Sequence, residues 1–114
     1  MTSNWMAGND YVEPMLNETD AYFPELYTAI GDSLAWIKYA NATIREAKRL
    51  SGGKPVYPYI WPQYPSKPIP GTANYTEINY TFWKTQLQTI KDAGADGAVV
   101  WGGYEQNWNP DAGW

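Results

Sequence analysis

Two side chains are missing outright. With no cysteine and no histidine in 114 residues, the chain offers no disulfide, zinc-thiolate site, thiol nucleophile, Ser-His-Asp triad or imidazole ligand, and no metal or cofactor is expected. Eight Lys and Arg stand against twelve Asp and Glu, a net charge of -4. Nowhere do the cations form a run, so no surface is available to neutralise nucleic-acid phosphates. No apolar stretch approaches the length of a membrane span. Met1 to Asp10 lacks the basic start and apolar centre of a secretory leader, which says nothing about a parent chain if this is an internal piece.

Phenylalanine is scarce too, at two residues, yet there are seven Trp and ten Tyr. These rings join an apolar face to a polar handle, which suits stacking on sugar rings; burial in a larger core is the competing use.

The chain is organised around Asp96-Gly97-Ala98-Val99-Val100-Trp101-Gly102-Gly103, which reads as a short buried parallel strand, 97–101, ending at a Trp and two glycines. A helix over 80–93 runs into it, with Trp83, Leu87, Ile90 and Ala93 at helical spacing, Asn79 as cap and Gly94 as stop. Upstream, Pro55 to Trp61 predicts a first strand, 55–61, in which Pro58 signals an irregularity. The order strand, helix, strand is a βαβ unit. Asp32 predicts the cap of a helix over 33–50, with Leu34, Ile37, Ala40 or Asn41, Ile44, Ala47 and Leu50 as its buried stripe. Lys38, Arg45, Glu46, Lys48 and Arg49 would form its solvated face. A shorter helix over 24–30 opens at Pro24, with Leu26 and Ile30 inward. Residues 1–22 read as an irregular lead-in because Asn4, Gly8, Asn9, Asp10 and Pro14 break any period, and 104–114 as a tail. Two strands do not close a sheet, so residues 1–114 read as one partial domain of a larger α/β fold.

If the strands are parallel, their C-terminal ends meet on one side of the sheet, where α/β folds bind ligands. Tyr59, Trp61, Gln63, Tyr64, Trp101, Glu105, Gln106 and Asn107 come together there. Aromatic planes beside amides and a carboxylate match a sugar polymer, apolar on its ring faces and edged by hydroxyls. Asp96 lies at the opposite end of its strand and reads as structural.

Lys54-Pro55-Val56-Tyr57-Pro58-Tyr59-Ile60-Trp61, a loop and helix, then Gly94-Ala95-Asp96-Gly97-Ala98-Val99-Val100-Trp101-Gly102 resembles the last third of the hyaluronidase family of glycoside hydrolases. The resemblance covers about 32–105. It implies an incomplete TIM-like barrel fragment carrying the last two parallel strands, with Trp101 at the floor of the sugar subsite and Tyr59 and Trp61 on the cleft wall. It also implies a secreted parent enzyme acting on an N-acetylhexosamine-containing or related polysaccharide. In that family an Asp-x-Glu motif on an earlier strand supplies the general acid, and the substrate's N-acetyl group attacks the anomeric carbon. No Asp-x-Glu occurs here, so the missing N-terminal part of the barrel is an implied partner and this chain alone is expected to be inactive. Animal members carry cysteines around the last strand; their absence points to a bacterial or divergent relative.

Two alternatives stand beside this reading. One is a non-enzymatic, secreted, aromatic-rich module that binds carbohydrate or self-assembles through open sheet edges. The other is a different sugar-cleaving barrel with Glu105 as its acid. Asn17, Asn74 and Asn79 lie in glycosylation sequons, as does Asn41, which falls on the inward stripe of its helix; chance composition competes with a use for them.

Overall fold

Three parallel stretches of chain, rather than two, lie side by side. In a computed structural model that describes residues 3–65 and 73–102, β1 (Tyr59–Ile60) pairs in parallel with β2 (Val99–Val100), Tyr59 opposite Val99 and Ile60 opposite Val100. On the other flank of β1 runs the segment 22–26. Tyr22 N–H donates to Pro55 O at 2.9 Å, Tyr57 N–H to Tyr22 O, Tyr59 N–H to Pro24 O and Leu26 N–H to Tyr59 O, each of these three at 2.8 Å.

The helix expected over 24–30 is therefore extended chain. Pro24 has no N–H to give and leaves only its carbonyl to the ladder, a role that extended backbone fills as readily as a first helical turn. The alternation of Tyr22, Pro24 and Leu26 with Phe23, Glu25 and Tyr27 is a period of two. The lead-in is corrected as well: Ser3–Leu16 is a helix, α1, with Pro14 inside it. No residue of α1 is buried; Leu16 packs against the cluster of Tyr22, Ala47, Leu50 and Val56, and polar side chains hold the rest of α1 to the next helix. Asn9 Nδ2 donates to Glu46 Oε1 at 3.0 Å, and Arg49, which grips Glu46 at 2.6 and 2.7 Å, also reaches Asp10 at 2.8 Å. Residues read as helix breakers are the ones that dock it.

The other helices follow expectation. In α2 (Ser33–Ser51), Asp32 Oδ1 accepts from Ala35 N–H at 2.7 Å, and Gly52 ends the helix in the left-handed region at φ 58°. In α3 (Tyr80–Asp92), Asn79 Oδ1 accepts from Phe82 N–H at 2.9 Å. The expected stripes hold at Ala40, Ile44, Ala47 and Leu50 of α2 and at Ile90 of α3, with Ile37, Trp83 and Ala93 packed against the core, and differ elsewhere. Trp36, Ala40, Ile44, Ala47 and Leu50 are inward on α2 while Leu34 is exposed, and Glu46, expected in solvent, is buried. On α3, Phe82, Gln86, Thr89 and Ile90 are buried and Leu87 is exposed.

Both helices cover one face of the sheet. Leu26, Ile60, Trp36, Ala40 and Ile44 form the core with Tyr64, Ile78, Phe82 and Ile90, and Tyr22 and Val56 join Ala47 and Leu50. Pro58 lies in the central strand, so β1 has no N–H for β2 at that point; its carbonyl still accepts from Val99 N–H at 2.8 Å. One step earlier the Asp96 carboxylate takes the Val56 N–H at 2.9 Å, while Asp96 N–H donates to Val56 O at 3.0 Å. That bond, then Lys48 at 3.6 Å, holds the Asp96 carboxyl below its usual range against a smaller opposing effect of burial.

Candidate functional site: the aromatic end of the sheet

In a parallel sheet, paired residues point to the same side. The pairs Tyr22–Val56 and Glu25–Tyr59 therefore fix two rows. Tyr22, Pro24 and Leu26 face the helices with Val56, Pro58 and Ile60. Phe23, Glu25 and Tyr27 face away with Tyr57, Tyr59 and Trp61, and β2 adds Val99 and, by continuation of the register, Trp101. No helix of the described residues covers this second row. Phe23 is 52% exposed and packs on Tyr57 and Tyr59 at 5.9 and 6.0 Å between ring centres.

The aromatic rings concentrate where the strands end. Trp61, only 6% exposed, meets Tyr27 edge-on at 5.6 Å and 63°, and Tyr75 at 5.8 Å and 46°. Its indole N–H donates to Gln63 Oε1 at 3.2 Å. Tyr75 arrives through the returning limb of the loop after β1. Tyr64 N–H donates to Thr76 O at 2.9 Å, Tyr75 N–H to Tyr64 O at 3.1 Å, and Ile78 N–H to Pro62 O at 2.8 Å, with Gln63 opposite Glu77. Tyr75 has a φ of 57°, the left-handed turn of backbone that accompanies this return.

Burial first, then the negative charge of Glu25, then Tyr59, pushes the Tyr27 phenol above its usual value. A phenol holds its proton at neutral pH, so the Tyr27 hydroxyl can donate a hydrogen bond there, and this shift moves its ionisation further away. Glu25, exposed, brings a carboxylate to the same face.

Of the residues named from sequence, Tyr59 and Trp61 share this open side, with Gln63 bonded to Trp61. Trp101 is 45% exposed at the end of β2. Tyr64 belongs to the helix-side core, while Glu105, Gln106 and Asn107 lie outside the described residues. Tyr27 and Tyr75 escaped the sequence reading, the first through the helix expected over 24–30 and the second because nothing in a proline-rich loop marks a returning limb. The alternation from Tyr22 to Tyr27 was the available signal for the first. Asn17, Asn74 and Asn79 are exposed, Asn41 half-buried; Asn79 serves as a cap. No group of three acidic side chains able to hold a metal ion occurs among the described residues, and none of their helices is long and apolar enough to cross a membrane.

No family model and no curated protein matches this sequence. Bee venom hyaluronidase, in its monoclinic crystal form, superposes with a TM-score of 0.73 and 24% identity, over 89% of this chain and 32% of the bee chain. The same enzyme in complex with a hyaluronic acid tetramer gives the same TM-score and identity, over 89% of this chain and 31% of that one. The chain thus spans about a third of the length of the enzyme it matches, and over that span its fold is that of a hyaluronidase.

Proposed function

We propose that this chain is the C-terminal part of a hyaluronidase-like glycoside hydrolase, secreted, whose strand ends bind an N-acetylhexosamine-containing or related polysaccharide. The parent enzyme's Asp-x-Glu pair would come from outside this sequence, and residues 1–114 alone would bind without cleaving. One observation carries the reading: an uncovered sheet face lined by Phe23, Tyr57, Tyr59 and Val99 ends at the Trp61, Tyr27 and Tyr75 rings. Closing a barrel would turn that face into its interior and leave the ring cluster at the mouth.

The division of labour follows from chemistry. Trp101 offers its plane to the apolar face of a sugar ring, Trp61 backs the site from beneath the Tyr27 and Tyr75 rings, the Tyr27 hydroxyl donates, and Tyr59, Gln63 and Glu25 border the same side. Glu105, Gln106 and Asn107 would continue that border beyond β2, and Tyr64 would support it from the core. The fold likeness favours hyaluronan, the ligand in the bee enzyme's complex.

Calorimetric titration of the chain, alone and co-expressed with the upstream segment of its parent, with hyaluronan, chitin and cellulose oligosaccharides tests this. Binding of the N-acetylated oligomers that is lost in Trp61→Ala is expected. Cleavage by the isolated chain that survives Glu105→Gln would overturn the assignment of the catalytic groups elsewhere. The outer edges of 22–26 and β2, which pair with no further strand among the described residues, also fit a self-assembling module; concentration-dependent growth in size of the pure chain, unrelieved by the upstream segment, would favour it.

A further inference from the structure

Between α3 and the first parallel segment the core contains a side-chain pair that hydrophobic packing does not explain. Gln86 of α3 and Thr28, two residues past the end of the first parallel segment, are both fully buried. Gln86 Nε2 donates to Thr28 Oγ1 at 2.8 Å across 58 positions of sequence. Gln86 Oε1 has no partner among the described residues, so the amide's orientation rests on the Thr28 hydroxyl. Burying an amide with an unmet acceptor is costly, and an apolar side chain of that shape would fill the place at less cost. The pair therefore has a use other than stability.

Its position supplies that use. Thr28 follows Tyr27, and the chain turns there at once: Ala29 N–H donates back to Tyr27 O at 2.8 Å. Alternate residues point to opposite sides, so pinning Thr28 among the helices fixes where Tyr27 stands on the open side, edge-on to Trp61. We propose that Gln86 is a positioning residue for the sugar-binding end of the sheet, acting through Thr28 to set the Tyr27 ring and hydroxyl against Trp61. The inference rests on the functional reading above for its ligand, though not for its geometry. It ties the site to α3, the helix that joins β1 to β2, so that the packing of that helix sets affinity on the opposite side of the sheet.

Three variants of the full chain test it: Gln86→Met, Thr28→Val, and both together. The double variant removes both polar partners and leaves shapes nearly unchanged, so its stability returns toward that of the parent sequence, whereas each single variant strands one group. If Gln86 positions, the double variant still loses affinity for a hyaluronan tetrasaccharide by about tenfold, the upper range of an aromatic edge contact. The fluorine resonance of 5-fluorotryptophan at position 61, assigned with Trp61→Phe, then moves toward its place in Tyr27→Leu. A double variant with unchanged affinity and an unchanged resonance would reduce the pair to a structural contact and overturn the proposal. Absence of saccharide binding by the parent sequence would count against the sugar-binding reading instead; the resonance would still decide the geometry, a shift supporting positioning and no shift refuting it.

Discussion

The two faces of this small sheet are built from the same three stretches of chain and could hardly differ more. On the helix side Leu26, Val56 and Ile60 have no exposed surface, and Trp36 and Phe82 meet edge to face at 6.0 Å above them. On the other side the residues one position along, Phe23, Tyr57 and Tyr59, touch one another and solvent. Burial on the first side is complete at these residues and fails only toward the edge, where Val100, paired with Ile60, is 58% exposed; on the second side Phe23 is 52% exposed. Stability and the binding role proposed for the open face are thus separable, because alternation along an extended chain sends neighbouring residues to opposite sides.

The largest test of that separation is Trp36→Ala. It deletes a fully buried indole and its hydrogen bond to Leu26 O at 3.3 Å, and should cost about 3–5 kcal/mol in urea unfolding. A smaller loss would mean that the helix face is looser than its burial implies. Next, Asp32→Ala should remove about 1 kcal/mol by uncapping the helix that covers this face.

Acid sharpens the contrast in another way. Hydrogen bonds from Arg49, and then Asn9, lower the Glu46 carboxyl below the ordinary glutamate value of 4.5 against the opposing effect of burial. A carboxylate with a depressed folded value stabilises the fold above its unfolded value, and that contribution disappears as pH falls through the folded one. Melting temperature should therefore fall as pH drops below about 4.5, less steeply in Glu46→Gln, with α1 released first. Smallest of all, Phe23→Ala on the open face should change the stability of the isolated chain by less than about 1 kcal/mol. A core-sized loss there would mean that the open face is covered after all, for instance by a second copy.

How much of this was legible beforehand depended on which force dominated each stretch. Local signals placed α2 and α3 well, since Asp32, Asn79 and Gly52 act within one turn. The pairing of β1 with β2 was also readable, from apolar runs on either side of a helix. The failures were tertiary. Phe23-Pro24 looks like a helix start, but backbone pairing with Pro55 to Tyr59 makes it a strand. Asn9 and Asp10 break a helical pattern, yet distant Glu46 and Arg49 give them partners. Gln86, outside the apolar stripe read for its helix, is buried because Thr28 lies opposite it. The candidate site shared this fate: Trp61 followed from the strand that carries it, whereas Tyr27 required knowing that a third strand existed.

The returning limb after β1 has a consequence for how such a protein could change. Because 62–64 and 75–78 are stapled to each other by their own backbones, and Tyr75 also packs on Trp61, the chain that runs between them is a cassette. It can be lengthened, shortened or rewritten with the anchors left in register and the indole at their root undisturbed. New ligand preferences could then be tried at the rim without renegotiating the core.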